Sequence, residues 1–432
     1  MLLQDVILQI APERVPVGTR AHRRREILGL TPDARRVTPG TVFVALPDRC
    51  RADPYAAYMA LDRGAEAVIC EPETILPKGV ARIEVPDCRK AFAKAAAAFF
   101  GNPERSLSVH GFRQDPGDSL GTRRASTNAA HLLAGLLAST KRPTPCFTEL
   151  ACEATGRTIP CALSELDLFE WFEWLALAVR SGENRVVIEA TPNVEAALGP
   201  DFPWQWSSPG ILPHDSFQGS WKGTVGYLGQ YTVSTRLIGF HNWMALNRAV
   251  TTASTVAPLQ EWVGRVSRLK PTQGFLEPVL LGQPFGVFVD AARTPLELRD
   301  LLSDVRQFHS GRILLVVGAP ATMESDERES LGQATILADH VVVTSNDPEY
   351  ESIDALSEDL IAAAGLDRVT LDTDRESAIF KTISMARTGD VVLVTGKAHR
   401  RSESIQGARI PWDDRQILSA ALAHRGYSGS HF

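Results

Sequence analysis

The chain has 432 residues, of which 44% are hydrophobic and 22% charged, and its net charge is −6. A single domain usually has roughly 100–200 residues, so this length predicts two or three domains. The dispersed and slightly acidic charge excludes general nucleic-acid binding through a basic face, and no apolar run is long enough to span a membrane. We expect a cytoplasmic protein with reduced cysteines, because none of the six forms a C-x-x-C pair.

Residues 1–104 predict a small α/β domain. Runs rich in β-branched and other apolar residues at 41–46, 65–71 and 81–85 predict three strands. The alanine-rich stretch at 90–101 predicts a helix that ends at its glycine.

The stretch 106–137 predicts a strand, a loop and a helix. Leu107, Val109 and Phe112 alternate as in a strand. Leucines at helical spacing follow from about Ser126. A helix that begins after a glycine-bearing loop presents free N–H groups and the positive end of its dipole, which suits a phosphate. The loop has no G-x-x-x-x-G-K-S/T pattern, and a surface loop without a ligand is the equally supported alternative.

The rest of the chain predicts loops followed by a larger α/β domain. Residues 202–229 are rich in Gly, Pro, Ser and Trp and predict loops. Beyond them, strands alternate with helices such as 353–364 and 375–385, which predicts a Rossmann-like parallel sheet. The predicted fold is α/β with three domains, at 1–104, 105–258 and 259–432.

The segment D-A-R-R-V-T-P-G-T-V-F-V-A-L at 33–46 resembles the N-terminal, UDP-binding domain of Mur ligases, above all the tripeptide-forming MurE type. Further family motifs are echoed in the same order at 131–133, 185–191, 239–247, 286–305, 338–352 and 389–415. The resemblance covers nearly the whole chain. It implies a small UDP-binding-like domain, a shortened central P-loop-like domain and a C-terminal Rossmann-like domain.

The resemblance also implies candidate site residues. A UDP-like ligand would contact Asp33, Arg35, Asp48 and Arg49. A nucleotide would contact Thr122, Arg123, Arg124, Asn242 and Asp290. An amino acid would contact Asn346, Asp347, Glu349, Gly396 and Arg400. A metal ion would be held by Glu189 and His214, and the catalytic candidates are Lys397, His399, Asp290 and Arg293.

Several family positions have changed where ligands would bind. The P-loop lysine is missing, Arg293 replaces a histidine, and Phe275 stands where the family has an arginine. Mur ligases form an acyl phosphate from ATP, and the loss of one transition-state donor commonly costs about 10²- to 10³-fold in rate. We therefore predict a Mur ligase-like protein that has lost ATP-dependent ligation. It would act as a non-catalytic accessory subunit that binds an intact Mur-type ligase or another biosynthetic enzyme.

The alternative is a diverged ATP-dependent, amide-forming ligase with an altered nucleotide loop and an altered amino-acid substrate. It would use Mg²⁺ and ATP, and the accessory hypothesis implies no cofactor. Glu349 replaces a family arginine and Arg400 replaces a family glutamate, which predicts either a substrate of opposite charge layout or a disused pocket in which the two residues pair. For Glu189, a structural carboxylate at a strand end is as well supported as a metal ligand. Neither hypothesis involves nucleic acid or membrane insertion, and the sequence does not set the oligomeric state.

Overall fold

The structure is a computed structural model that describes residues 1–10, 24–78, 80–113, 120–138, 143–154, 157–159, 167–207, 216–398 and 400–429. It divides into two units, one of Met1–Gln114 with Ala138–Trp206 and one of Asp115–Leu137 with Ser207–Phe432. The domain boundaries drawn from the sequence stay predictions. Among the described residues, no helix has both the length and the apolar character needed to cross a membrane.

The first unit begins with a four-stranded parallel sheet in the order β1-β2-β3-β4. The elements of this part, in chain order, are α1 (Leu3–Ile10), β1 (Gly29–Thr31), β2 (Thr41–Val44), α2 (Pro47–Ala52), α3 (Ala56–Asp62), β3 (Ala67–Cys70), β4 (Arg82–Glu84) and α4 (Cys88–Phe99). β2 and β3 are buried along their whole length, as the continuous apolar runs predict. Asp87 begins α4 by accepting a hydrogen bond from the Lys90 amide.

The central sheet completes the first unit in the order β10-β5-β9-β6-β7-β8. Its segment of the chain contains β5 (Ser108–Arg113), α5 (Leu120–Leu137, which belongs to the second unit), β6 (Cys146–Phe147), β7 (Cys152–Ala154), β8 (Arg157–Ile159), α6 (Leu168–Arg180), β9 (Arg185–Ala190), α7 (Pro192–Leu198) and β10 (Trp204–Trp206). β10, β5, β9 and β6 are parallel, and β7 and β8 continue the sheet antiparallel. Asp167 and Glu170 form a reciprocal capping box that begins α6.

The second unit contains α5, a three-stranded antiparallel sheet and two helices before its largest sheet. These elements are β11 (Ser216–Ser220), β12 (Gly223–Leu228), β13 (Tyr231–Thr235), α8 (Phe240–Ala253) and α9 (Leu259–Val266). The prediction of loops over 202–229 is wrong, because β10, β11 and β12 lie there. On β12 the alternate residues Thr224, Gly226 and Leu228 are buried, whereas Val225 and Tyr227 are exposed. One buried face therefore suffices to fix the strand.

The large sheet of the second unit has the order β14-β15-β19-β16-β17-β18 and is parallel except for β14. Its elements are β14 (Glu277–Pro278), β15 (Gly286–Asp290), α10 (Pro295–Phe308), β16 (Ile313–Val317), α11 (Ser325–Ala334), β17 (His340–Val343), α12 (Ile353–Ala364), β18 (Val369–Leu371), α13 (Arg375–Met385), β19 (Val391–Thr395), β20 (Ser402–Ile405), β21 (Ala408–Pro411) and α14 (Asp414–His424). β15, β16 and β19 are buried along their whole length. This is the predicted Rossmann-like arrangement, and it brings the C-terminal ends of β15, β17 and β19 to one edge of the sheet.

Candidate functional site

The candidates for a UDP-like ligand form surface ion pairs in the first unit. Both oxygens of Asp33 accept from the Arg35 guanidinium, at 3.1 Å each, and Asp33 Oδ1 also accepts from the Arg35 amide. This hydrogen bonding, together with the nearby charge of Arg49, lowers the pKa of Asp33. Asp48 pairs instead with Arg89. Three of the four candidates are therefore neighbours, whereas the Asp48 carboxylate is bound to a residue of α4.

The nucleotide candidates near the start of α5 lie on a helix. α5 begins at Leu120, before the start near Ser126 that the leucine spacing predicts, so Thr122, Arg123 and Arg124 belong to the helix. Gly121 and Thr122 lie in the first turn of α5, and both residue types are weak helix formers. The sequence therefore indicates a later start of the helix, near Ser126. The backbone N–H groups in the first turn of a helix have no intrahelical acceptors. A phosphate bound by α5 would therefore lie at its first turn, which begins at Leu120. The side chains of 120–124 lie outside the described part of the chain.

Asn242, another nucleotide candidate, belongs to a buried chain of hydrogen bonds. Thr272 Oγ1 donates to Asn128 Oδ1 at 2.6 Å, and Asn128 Nδ2 donates to Asn242 Oδ1 at 2.5 Å. Asn242 Nδ2 then donates to the carbonyl groups of Ile238 and Phe275, at 2.7 and 2.9 Å. The amide nitrogen of Asn242 thus bonds backbone carbonyls at both of its donor positions.

Asp290 lies at the end of β15 and shares a small cavity with Asn128 and Asn242. Its Oδ2 accepts from the Leu276 amide and its Oδ1 from the Ala292 amide, both at 2.9 Å. The cavity has a volume of about 30 Å³. That is room for about one or two water molecules and far less than an adenine ring needs. The structure therefore brings Asn242 and Asp290 together around a small cavity.

Two of the amino-acid candidates, Asp347 and Arg400, are in direct contact beyond the end of β17. Oδ1 of Asp347 accepts from Lys397 Nζ at 2.7 Å and from the Ser404 amide at 2.9 Å. Oδ2 accepts from Arg400 Nη1 at 2.8 Å. Burial alone would raise the pKa of Asp347, but the Lys397 hydrogen bond and charge, the Ser404 amide and Arg400 together lower it. Asp347 is therefore a carboxylate that three donors stabilise in its ionised form.

Lys397 is fully buried at the end of β19. Burial lowers the pKa of its ammonium group, against the opposing effect of the Glu403 and Asp347 charges. Glu403 Oε1 lies 3.9 Å from Lys397 Nζ and also accepts a hydrogen bond from Ser345. A buried lysine with a perturbed pKa at the C-terminal edge of such a sheet is typical of a functional site, although structural ion pairs also produce it.

Glu349 and Arg400 do not pair with each other in the described structure, because Arg400 binds Asp347. The suggestion of a Glu349–Arg400 pair is therefore wrong. Glu349 is fixed through its backbone, whose N–H donates to the Ser404 carbonyl and whose carbonyl accepts from Gln406. Asp347 and Glu349 have positive φ angles of 53° and 50°. Backbone strain of this kind is most often found at functional sites.

Arg293 and Gly396 complete this edge of the sheet. Burial and the nearby charge of Arg400 lower the pKa of Arg293, whereas Glu297 and Asp347 raise it. Gly396 has a φ of 99°, and a Cβ atom there would lie 2.8 Å from Asn346 Nδ2. Asn346 uses that nitrogen to donate to the Gly318 carbonyl at 2.9 Å. Only glycine fits at 396 without displacing the asparagine.

The remaining candidates do not form a described metal site. Glu189 is fully buried at the end of β9, and its Oε2 accepts from the Glu149 amide at 3.0 Å. His214 and His399 lie outside the described residues. Within the described ranges, no three His, Cys, Asp or Glu side chains are grouped so that they could hold a metal ion.

Sequence reasoning missed a second buried ion pair beneath the Asp347 site. Arg375 and Asp414 are both fully buried, and two hydrogen bonds of 2.9 and 2.8 Å join them. Arg375 also donates to the carbonyl groups of Ser345 and Thr395, which lie at the ends of β17 and β19. The only sequence signal is an arginine at the first position of a predicted helix, where a positive charge is unfavourable for the helix dipole.

Comparison with known proteins shows what this chain is similar to. Residues 276–398 match the family described as Mur ligase, glutamate ligase domain. A UDP-N-acetylmuramoyl-L-alanyl-D-glutamate–2,6-diaminopimelate ligase of Solibacter usitatus is 27% identical and covers 93% of this chain and 94% of its own. The corresponding ligase of Rhizobium meliloti is 29% identical over 92% and 94%. A UDP-N-acetylmuramyl-tripeptide synthetase of Roseiflexus is 26% identical over 94% and 96%.

The chain is a homologue of the Mur ligases. The predicted resemblance to the MurE type is thereby confirmed. The fold of this Mur ligase homologue is also similar to that of a solved UDP-N-acetylmuramoyl-L-alanyl-D-glutamate–2,6-diaminopimelate ligase, with a TM-score of 0.61, 18% identity and coverage of 99% and 100%. A folylpolyglutamate synthase of Mycobacterium tuberculosis solved with ADP and AMPPCP aligns with a TM-score of 0.51 over 79% of this chain. The three-domain α/β fold with a Rossmann-like C-terminal domain is thus confirmed.

Proposed function

We propose that this Mur ligase homologue is a diverged ATP-dependent, amide-forming ligase that joins an amino acid to a carboxylate substrate. The observation that carries the proposal is the buried Lys397–Asp347 ion pair at the strand ends of the domain that matches the glutamate ligase family. Mur-type relatives that cover nearly the whole chain support it. A buried lysine with a perturbed pKa at the C-terminal edge of such a sheet is typical of a functional site, which favours a pocket still in use.

The reaction class defines what the chain's residues have to do. ATP would phosphorylate the carboxylate, and the amine of the amino acid would then displace the phosphate. Arg293, Lys397 and Arg400 would supply positive charge for the anionic groups, and Arg123 and Arg124 would bind phosphate at the start of α5. Relatives named for UDP-N-acetylmuramoyl-L-alanyl-D-glutamate suggest a UDP-muramyl peptide as the carboxylate substrate, and with it a place in the synthesis of peptidoglycan precursors. Mg²⁺ would accompany ATP, and no step is assigned to Glu189.

The amino acid is proposed to differ from 2,6-diaminopimelate. Glu349 stands where the MurE type has an arginine, and Arg400 stands where it has a glutamate. Because Arg400 is bound to Asp347, its positive charge is partly neutralised, and Glu349 remains as a half-buried acidic group near the site. The pocket therefore no longer offers the charges that recognise a diamino acid.

The proposal is tested by nucleotide binding and turnover of the full chain. With Mg-ATP at 100 times its Kd, the free energy of unfolding should rise by about 2.7 kcal/mol. We expect Arg123→Ala combined with Arg124→Ala to abolish the shift, and Arg268→Ala, a matched change on an exposed arginine, to preserve it. ADP release should then depend on a UDP-muramyl peptide and on one member of a panel of single amino acids. Absence of any nucleotide shift together with absence of ADP release would refute the ligase.

A second candidate, a non-catalytic accessory protein, is supported by the nucleotide-site residues. Asn242 and Asp290 both bond to backbone groups, and the cavity between them has only about 30 Å³. Its expected partner is an intact Mur-type ligase. The test is to add the chain to a purified diaminopimelate-adding ligase and to measure that enzyme's rate and the sedimentation of the mixture. A rate change with co-sedimentation supports this candidate, and unchanged rate and sedimentation exclude it for that partner.

A further inference from the structure

A cavity of about 560 Å³ lies in the first unit. It opens where β5 and β10 begin, since Leu107 and Pro203 line it just before these strands. The loop that would carry phosphate follows the other end of β5. The volume falls within the range of small-molecule pockets, which is about 300–1,000 Å³. None of the lining residues belongs to the candidate ligase site, so this cavity is a separate feature.

The cavity has an apolar floor and a charged rim. Phe172, Phe202 and Leu107 form part of the floor and are buried in the fold. The exposed lining, called the rim here, carries the cations Lys94 and Arg105 and the acid Asp201. Pockets that bind small molecules combine such an apolar surface with a few placed polar groups.

Glu104 supplies a buried negative charge in this cavity. Its side chain is only 10% exposed, and Oε1 lies 3.7 Å from Arg105 Nε. Oε2 is buried, and the described residues give it no hydrogen-bond partner. The short helical turn Pro103–Ser106, which packs against α6, holds Glu104 in place. A buried carboxylate oxygen without a donor is costly, so the native fold keeps it only where something offsets the cost.

These features define the chemistry of a complementary molecule. A ligand needs an N–H donor, best a cationic one, for Oε2 of Glu104. It needs an anionic group for Lys94 and Arg105 at the rim, and an apolar body for the phenylalanine floor. A simple cation would leave the rim without a partner, and a simple anion would be repelled by Glu104. A zwitterion with an apolar side chain satisfies all three requirements.

We propose that this cavity is a binding site for an apolar α-amino acid. The α-ammonium group donates to Glu104 Oε2, the α-carboxylate pairs with Lys94 and Arg105, and the side chain packs against Phe172 and Phe202. The proposal assigns binding alone to this cavity and no chemical conversion of the ligand. This binding goes beyond the ligase reaction and does not depend on it.

The probe is L-phenylalanine, titrated calorimetrically into the full chain. The matched compounds are phenethylamine, which lacks the carboxylate, and 3-phenylpropanoate, which lacks the ammonium group. We expect L-phenylalanine to bind, and each matched compound to bind about tenfold or more weakly, because each loses a charge-assisted contact. L-Phenylalanine that does not bind, or that binds no better than both compounds, would overturn the proposal.

Three variants assign the binding to this cavity. Glu104→Gln keeps the shape and removes the charge, and should weaken L-phenylalanine by about tenfold or more. Lys94→Met changes only an exposed residue, so it should fold normally and weaken binding by a smaller factor. Glu73→Gln, an exposed acid of the same unit outside the cavity, should leave the affinity unchanged. Equal affinity in the wild type, Glu104→Gln and Lys94→Met would place the binding elsewhere and refute the site.

Discussion

Lys397 and Asp347 form an ion pair of 2.7 Å between a fully buried ammonium group and a largely buried carboxylate. Arg400 donates a hydrogen bond to the other oxygen of the same carboxylate, at a position where the MurE type has an acid. The positive charge that the sequence introduces at position 400 is therefore paired with an acid of the same chain. One carboxylate thus pairs with two cations, of which Lys397 is fully buried and Arg400 is partly exposed. The loss of stability should therefore differ between a variant that leaves Lys397 unpaired and one that removes Arg400.

Asp347→Asn should be severely destabilising. It leaves Lys397 buried without its main counter-charge, and breaking a buried pair in this way costs about 3–5 kcal/mol. Arg400→Gln removes the partner that is 39% exposed and should cost less than about 1 kcal/mol. Urea unfolding of the two variants measures the difference. Equal losses would show that burial does not govern this pair.

The Arg375–Asp414 pair should give a strongly non-additive double-mutant cycle. Arg375→Met leaves a fully buried carboxylate uncompensated, with an expected loss of about 3–5 kcal/mol. Adding Asp414→Leu removes that charge, so the double variant should be more stable than Arg375→Met alone. Denaturant midpoints of the four proteins test this. A double variant as unstable as the sum of the two single ones would contradict the prediction.

Gly396→Ala should destabilise through both backbone strain and contact. Its positive φ costs about 1 kcal/mol in an alanine, and the new Cβ would lie 2.8 Å from Asn346 Nδ2. Gly389 is the matched control, because its φ is 84° and nothing lies within 4 Å of the Cβ position. Gly389→Ala should therefore show the backbone cost alone. The prediction fails if the two substitutions lower stability equally in denaturant unfolding.

Glu104 should make stability fall as the pH rises. Burial raises the pKa of Glu104 in the folded chain, so between the unfolded value near 4.3 and the higher folded value the folded state binds more protons. The contribution of protonated Glu104 to stability is fully present below that window and is lost as the pH rises through it. Glu104→Gln does not titrate and should gain stability relative to the wild type as the pH rises through that window, on the scale of about 1–3 kcal/mol for an unsatisfied buried group.

Thermal unfolding of both proteins across this pH range measures the effect, with Glu73→Gln as the control for an exposed acid. A constant difference between Glu104→Gln and the wild type would show that Glu104 does not titrate abnormally.

The regular elements of the third domain could be predicted because the local signals agree with the fold. The helices predicted at 353–364 and 375–385 coincide with α12 and α13. In each case a capping side chain, Ser352 or Asp374, accepts from an amide of the first turn and marks the start. The buried strands are continuous apolar runs, which a sequence shows directly.

The site could be predicted only as a set of residues, since charge pairing depends on contacts far apart in the chain. Asp347 and Arg400 are separated by 53 positions, so the sequence could not decide whether Arg400 binds Asp347 or Glu349. The sheet of β11 to β13 was missed for a related reason. Its polar and glycine-rich strands have a favourable face only when packed against the rest of the unit, where Trp243 lies close to Gly226.

The hydrogen-bonded chain from Thr272 through Asn128 to Asn242 has a mechanical consequence. It links α5, α8 and the segment that leads into β14 through buried hydrogen bonds, in a closely packed interior that transmits displacement. A displacement of the Phe275 carbonyl would shift Asn242, which is hydrogen-bonded to it. Asn242 would in turn shift Asn128, which lies on α5. A change in the position of residues 272–275 would therefore be transmitted to both α8 and α5.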